Sequence, residues 1–261
     1  RTTTGEDFRR NYEWGVDGKW YQLDLEISWD TYQFYQNKPR VYKNYAVYTY
    51  ENEKYPVLSK VARALRTEAR DAGLDEFNTI RFVSAFVQQL SYTREAKEYP
   101  KFPIETLAEK GGDCEDTSIL LAALLKELGY DAVLVNPPGH MAVALACENC
   151  KGTSFSKSGR RYYYIETTSA GFEVGELPKE YVGAKVNLFG LGASPDELWV
   201  LDEKVVHKGG INEGYYVVEE GDEQISYSGN TKLVTTTTKR TYLIGGRTYT
   251  KTTIRTERQP R

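Results

Sequence analysis

Methionine, histidine and cysteine are scarce in this chain: one Met, two His and three Cys in 261 residues. Three cysteines fall short of the even, dense set on which a small disulfide scaffold rests. The histidines, His140 and His207, and one C-x-x-C, Cys147-Glu148-Asn149-Cys150, offer little from which to build a closed zinc site, which needs four ligands. Long apolar runs are missing too. None approaches the roughly 18 to 20 residues of a membrane-spanning helix, and Arg1-Thr2-Thr3-Thr4-Gly5 lacks the apolar centre of a signal peptide. Nor does one sign of charge dominate: 34 Lys and Arg against 37 Asp and Glu give a formal −3, which excludes the polyelectrolyte character of a general nucleic-acid binder. No cofactor, metal or nucleic acid is therefore expected. What remains is a composition 40% hydrophobic and 13% aromatic, rich enough to bury a sizeable core and to exclude intrinsic disorder. The chain starts without methionine and reads as a processed piece. An extracytoplasmic or membrane-associated setting is the expectation, with the targeting segments absent from this chain.

Three regions follow from patterning. Residues 1–55 form an aromatic-rich flank of strand and loop: Leu23, Leu25, Ile27 and Trp29 alternate with polar residues, and Asp17-Gly18 between Trp14 and Trp20 suits a tight hairpin. This flank could pack on the core or lie over a cleft as a lid. Residues 56–212 form the core. Leu58, Val61, Ala62, Leu65 and Ala69 share one helical face behind Pro56, with Gly73 as the stop. Asp75 can cap a second helix carrying Ile80, Val83, Phe86, Val87 and Leu90. Gly111-Gly112-Asp113 signals the start of a third, apolar around most of its circumference from Cys114 to Leu128, and so central and buried. Strand-like segments follow at Ala132–Val135, Met141–Ala146 and Arg161–Thr167, and a buried helix followed by an antiparallel sheet defines an α+β core. Residues 213–261 read as a β-hairpin appendage, with strands at Tyr215–Val218, Gln224–Tyr227, Leu233–Thr238 and Thr241–Thr253 and turns at Gly221-Asp222 and Gly245-Gly246. Residues 231–261 carry eight Lys or Arg and one Glu, a net +7, leaving −10 on the rest. That strip could contact an anionic surface, or be an edge blunted with charge.

Cys114 carries the chemistry. A thiol attacks as thiolate, and its pKa falls at a helix N-terminus beside a histidine. Cys114 stands at such a start, so a low thiol pKa is expected. His140, behind Pro137-Pro138-Gly139, can act as its base. Glu166, near the end of the Arg161–Thr167 segment, can neighbour His140 across an antiparallel pair and fix its tautomer. Asp113, Glu115 and Asp116 look like a calcium cluster, but capping and the helix dipole already account for carboxylates in a first helical turn. His207 has no motif around it and reads as structural.

These residues stand in a recognisable setting. Gly111-Gly112-Asp113-Cys114-Glu115-Asp116-Thr117, Gly139-His140-Met141-Ala142-Val143 and Tyr164-Ile165-Glu166-Thr167-Thr168, preceded by Pro103-Ile104-Glu105-Thr106-Leu107, resemble the transglutaminase-like superfamily over roughly residues 56–180. The resemblance implies a papain-like α+β core, the Cys-bearing helix packed on an antiparallel sheet, and thiol-dependent acyl transfer from an amide to water or an amine. Cys114 would be the nucleophile, His140 the general base and acid, and Glu166 the orienting carboxylate where the family more often has Asp. The oxyanion hole would use the Cys114 backbone N–H and a second donor, Gln88 or else Tyr92. Hydrolysis of a peptide or protein substrate is expected over transfer to an amine; a catalytically silent binding module of the same fold is the alternative. Cys147 and Cys150, in a loop between strands, suit a local disulfide or two free thiols.

Overall fold

A computed structural model describes residues 5–40, 44–52, 54–94 and 98–191, and beyond them the backbone of strands at 217–228, 231–244 and 247–260. The chain divides into two units, residues 1–40 with 45–200 and residues 41–44 with 201–261.

In the first unit, Asp17 and Gly18 both adopt positive φ, 50° and 76°. They close the hairpin of β1 (Phe8–Val16) and β2 (Lys19–Ile27) in a turn whose twist matches the strands. β2 does not run on to Trp29 as its alternation suggested. The Ser28 side chain accepts the Thr31 N–H and caps α1 (Trp29–Gln36), because a serine hydroxyl satisfies a first-turn donor that a strand would leave to the ladder. Trp14, 1% exposed, meets Phe82 and Phe86 edge-on at 5.3 and 5.1 Å. The aromatic flank is thus built into the core.

The core helices follow their apolar stripes: α2 (Val57–Asp71), then α3 (Glu76–Gln88), which the Asp75 carboxylate caps by accepting the Asn78 N–H. β3 (Ser91–Tyr92) pairs in parallel with β4 (Gly111–Gly112). Between them lies α4 (Pro103–Glu109), too short for periodicity to reveal. It is anchored by the fully buried Glu105, which pairs with Arg40 and accepts hydrogen bonds from the Phe102 N–H at 2.9 Å and the Tyr99 hydroxyl at 2.8 Å. α5 (Cys114–Glu127) has every residue from Ile119 to Leu125 at most 1% exposed. Such a helix is held by packing on all sides.

The antiparallel sheet comprises β5 (Ala132–Asn136), β6 (Ala142–Ala146), β7 (Ser154–Lys157), β8 (Arg160–Ile165) and β9 (Asn187–Gly190), in the order β7-β8-β6-β5-β9. One face gathers Val133, Val135, Ala142, Ala144, Tyr162 and Tyr164 into a cluster covered by Phe155, Leu177 and Leu188. Leu134, Val143 and Ile165, aligned across three strands, fall on the other face, toward α5. The unit is therefore mixed helix and antiparallel sheet, an α+β arrangement. Among the described residues no helix is long and apolar enough to cross a membrane.

The second unit contains a sheet of β10 (Val217–Ser228), β11 (Thr231–Ile244) and β12 (Arg247–Pro260), all antiparallel. Gly221-Asp222 is not a turn: both residues sit in mid-strand, opposite Thr238 and Thr237. An unbroken ladder satisfies both residues' backbone groups, which overrides the local turn preference. His207, Tyr215 and the Gly245-Gly246 link lie outside the described residues, as do the side chains of the basic strip.

Candidate active site

Cys114 is the first residue of α5. Asp113 precedes it with its carboxylate aimed at the Asp116 N–H, while Asp116 Oδ2 accepts the Asp113 N–H at 3.3 Å, a reciprocal capping box. Gly112 makes this close approach feasible: a Cβ there would lie 2.3 Å from Asp116 Oδ2. Asp116, fully buried, also takes the Lys101 N–H at 2.7 Å and Lys101 Nζ at 3.0 Å. Burial nevertheless raises its pKa to about 7, against the pull of Lys101.

His140 closes a turn. Its N–H donates to the Pro137 carbonyl at 3.2 Å, Gly139 supplies φ of 71°, and Asn136 Nδ2 donates to the His140 carbonyl at 3.0 Å. The imidazole Nε2 is 3.1 Å from Glu166 Oε2. With Nε2–H donating to the carboxylate, Nδ1 is left as the basic nitrogen. Glu166 lies just beyond β8. Its Oε2 also accepts the Tyr164 hydroxyl at 2.7 Å, and its Oε1 the Thr167 and Thr168 N–H groups at 3.0 Å and the Thr168 hydroxyl at 2.7 Å. Burial works to raise this carboxyl, but the hydrogen bond and charge of His140, with the bonds from Thr168 and Tyr164, outweigh it and hold the pKa at about 2. A hydroxyl cluster ties the two halves together, with Thr167 Oγ1 3.0 Å from both Thr117 Oγ1 and Ser118 Oγ of α5.

The thiol departs from its expectation. Burial first, then the Glu115 carboxylate accepting the S–H at 3.1 Å, push the Cys114 pKa up to about 12. The Met141 N–H, part of the peptide that joins it to His140, faces the sulfur and pulls the other way without prevailing. The helix start alone does not make a thiolate, because a carboxylate bonded to the S–H stabilises the neutral thiol and repels the anion. Burial raises Glu115 as well.

Gln88 is engaged within the chain. Its Nε2 donates to the Glu166 carbonyl at 2.9 Å and the Phe172 carbonyl at 3.1 Å, so its amide hydrogens are committed to bracing the loop that carries the carboxylate. Both carbonyls belong to the chain itself. Tyr92 instead stands 54% exposed, within the electrostatic reach of Cys114. Tyr181, which no sequence signal singled out, stacks on the His140 ring at 5.1 Å and 5° between planes. Beside this pair opens a groove of about 440 Å³, lined by Tyr92, His140, Glu166, Phe172, Glu180 and Tyr181 among others; among the described residues of 1–55 none lines it. Cys147 and Cys150 are joined as a disulfide in the loop between β6 and β7. Among the described residues no group of three His, Cys, Asp or Glu side chains is arranged to hold a metal ion.

No family model and no curated protein matches the chain. Among solved structures, calcium-bound Legionella pneumophila LapG is 14% identical over 56% of this chain and 86% of its own, with a TM-score of 0.35. A Cytophaga hutchinsonii protein named provisionally as a cysteine protease is 10% identical over 97% of this chain and 75% of its own, with a TM-score of 0.36. Likenesses of that size establish no family for the chain.

Proposed function

We propose that the protein is a cysteine-dependent amide hydrolase acting on a peptide or protein, its core a variant of the transglutaminase-like fold that its motif order resembles. The observation that supports this most is the part-buried His140–Glu166 hydrogen bond, its carboxylate held by four further donations, with the N–H of the next residue, Met141, at the sulfur of a cysteine that opens a helix. A scaffold has no structural need to orient an imidazole so firmly in the segment that also sends an N–H to a thiol.

With its pKa near 12 the thiol is neutral at rest. The proton therefore leaves during attack: Cys114 Sγ bonds to the amide carbon as its hydrogen, released from Glu115, passes to Nδ1 of His140. Glu166 stabilises the imidazolium. The C–N bond then breaks, the imidazolium gives its proton to the departing amine, and water, deprotonated by His140, cleaves the thioester and regenerates the thiol. The Cys114 backbone N–H is the first oxyanion donor and Tyr92 the remaining candidate for the second.

Incubation with a quenched-fluorescent peptide library tests the reading. Turnover lost in Cys114→Ala and in His140→Ala, with a substrate acyl group trapped on Cys114, is the expected result. A second reading, a catalytically silent binding module, draws on the protonated thiol. Turnover absent from the intact chain across the library would favour it, and turnover that survives in Cys114→Ala would overturn the assignment of Cys114 as the nucleophile.

A further inference from the structure

The groove beside His140 has a chemical character that the hydrolase reading leaves open. Three aromatic rings, Tyr92, Phe172 and Tyr181, line it together with the Glu180 carboxylate. Glu180 is exposed and makes no ion pair or side-chain hydrogen bond among the described residues. Among the described residues neither a lysine nor an arginine lines the groove. Tyr92 also lies in the field of Asp113 and Glu115, with Arg94 the opposing cation, and Tyr181 lies in the field of Glu180 and Glu166. Aromatic faces beside a carboxylate without an ion pair, as Glu180 is, attract a cation twice over, through the ring quadrupole and through charge. A neutral side chain gains the rings alone, and an acidic one is repelled.

The Tyr181 ring that stacks on His140 is also a wall of the groove, so a side chain seated there belongs to a residue close to the amide under attack. Resting on the hydrolase reading, we propose that this groove is a specificity site for a lysine or arginine side chain flanking the scissile amide, with Glu180 as counter-ion and Tyr92 and Tyr181 as its aromatic walls. The substrate class is then a basic peptide segment.

Binding separates this proposal from the chemistry it rests on. Two fluorescein-labelled hexapeptides, identical except for a central lysine or the neutral norleucine of similar length, are titrated by anisotropy against the full chain carrying Cys114→Ala. The lysine peptide is expected to bind at least about tenfold tighter, a preference that fades with added salt and is lost in Glu180→Gln. Glu180→Lys should turn the preference away from lysine. Equal binding of the two peptides, a lysine preference that survives Glu180→Gln, or no binding of the lysine peptide overturns the proposal. Glu180 is exposed and outside the catalytic set, so circular dichroism of each variant should match the parent. Turnover by the intact chain without lysine preference sinks the groove assignment alone. Lysine-selective binding with no turnover sinks the hydrolase reading alone.

Discussion

Two carboxylates lie buried within reach of the first turn of α5, and although burial pushes both upward they end on opposite sides of the ordinary value. Glu166, at the end of β8, is held down at about 2; Asp116, inside α5, is raised to about 7. Both are at most 2% exposed. The difference lies in their partners. Glu166 collects two hydroxyls, two backbone N–H groups and the imidazole, whereas Asp116 collects two backbone N–H groups and one ammonium beside the like charge of Asp113. Desolvation raises a carboxyl wherever water is excluded, and only a saturated set of donors reverses it. One carboxylate is thereby kept ionised against an imidazole, while the other knits the helix start to the segment before α4.

The comparison breaks most visibly in turnover. Glu166→Gln preserves shape but removes the charge that stabilises the imidazolium, so kcat should fall about 10³-fold, while Asp116→Asn should stay within about threefold because it touches no reacting group. Steady-state kinetics on a substrate from the library screen checks both; equal losses would merge the two roles. In stability the order reverses. Lys101→Met leaves Asp116 buried without its cation and should cost about 3 kcal/mol in urea denaturation.

The pH dependence has opposite signs at the two sites. Glu166, lowered from 4.5, contributes stability that is complete above about pH 5 and is lost as pH falls toward 2; Asp116, raised from 3.8, contributes stability present below about pH 4 and lost as pH rises through 7. Denaturation midpoints of Glu166→Gln and Asp116→Asn, each subtracted from the parent across pH 2.5 to 8, should therefore slope in opposite directions. Slopes of one sign would undo the distinction. The smallest effect is expected at the hydroxyl cluster. Thr167→Val removes the tie to Thr117 and Ser118 and should cost about 1 kcal/mol, read from the same urea curves.

Much of this was legible in the chain, for physical reasons. Asp17-Gly18 marks its hairpin because few residue pairs tolerate two positive φ values, and Gly111-Gly112-Asp113 marks the start of α5 because capping chemistry is local. The same locality misled at Gly221-Asp222, where a ladder to a distant strand prevailed, and at Trp29, where the Ser28 cap interrupted a sound alternation. α4 escaped notice because its anchor, Glu105 on Arg40, spans 65 positions.

The candidate site divides in the same way. The order of residues alone determines that a cysteine opens a buried helix, that a histidine follows a Pro-Pro-Gly turn, and that a glutamate lies near the end of a strand-like segment. Only the tertiary structure decided what those groups are electrically: a thiol kept neutral by burial and then by its neighbour Glu115, a carboxylate kept ionised by His140 and by donors from Tyr164 and the Thr167-Thr168 turn, and a glutamine spent on carbonyls 78 and 84 positions away. A cap acts over one helical turn and can be read from adjacent residues. Charge and desolvation act through space, so their balance exists only once the fold has placed the donors and shut out the water.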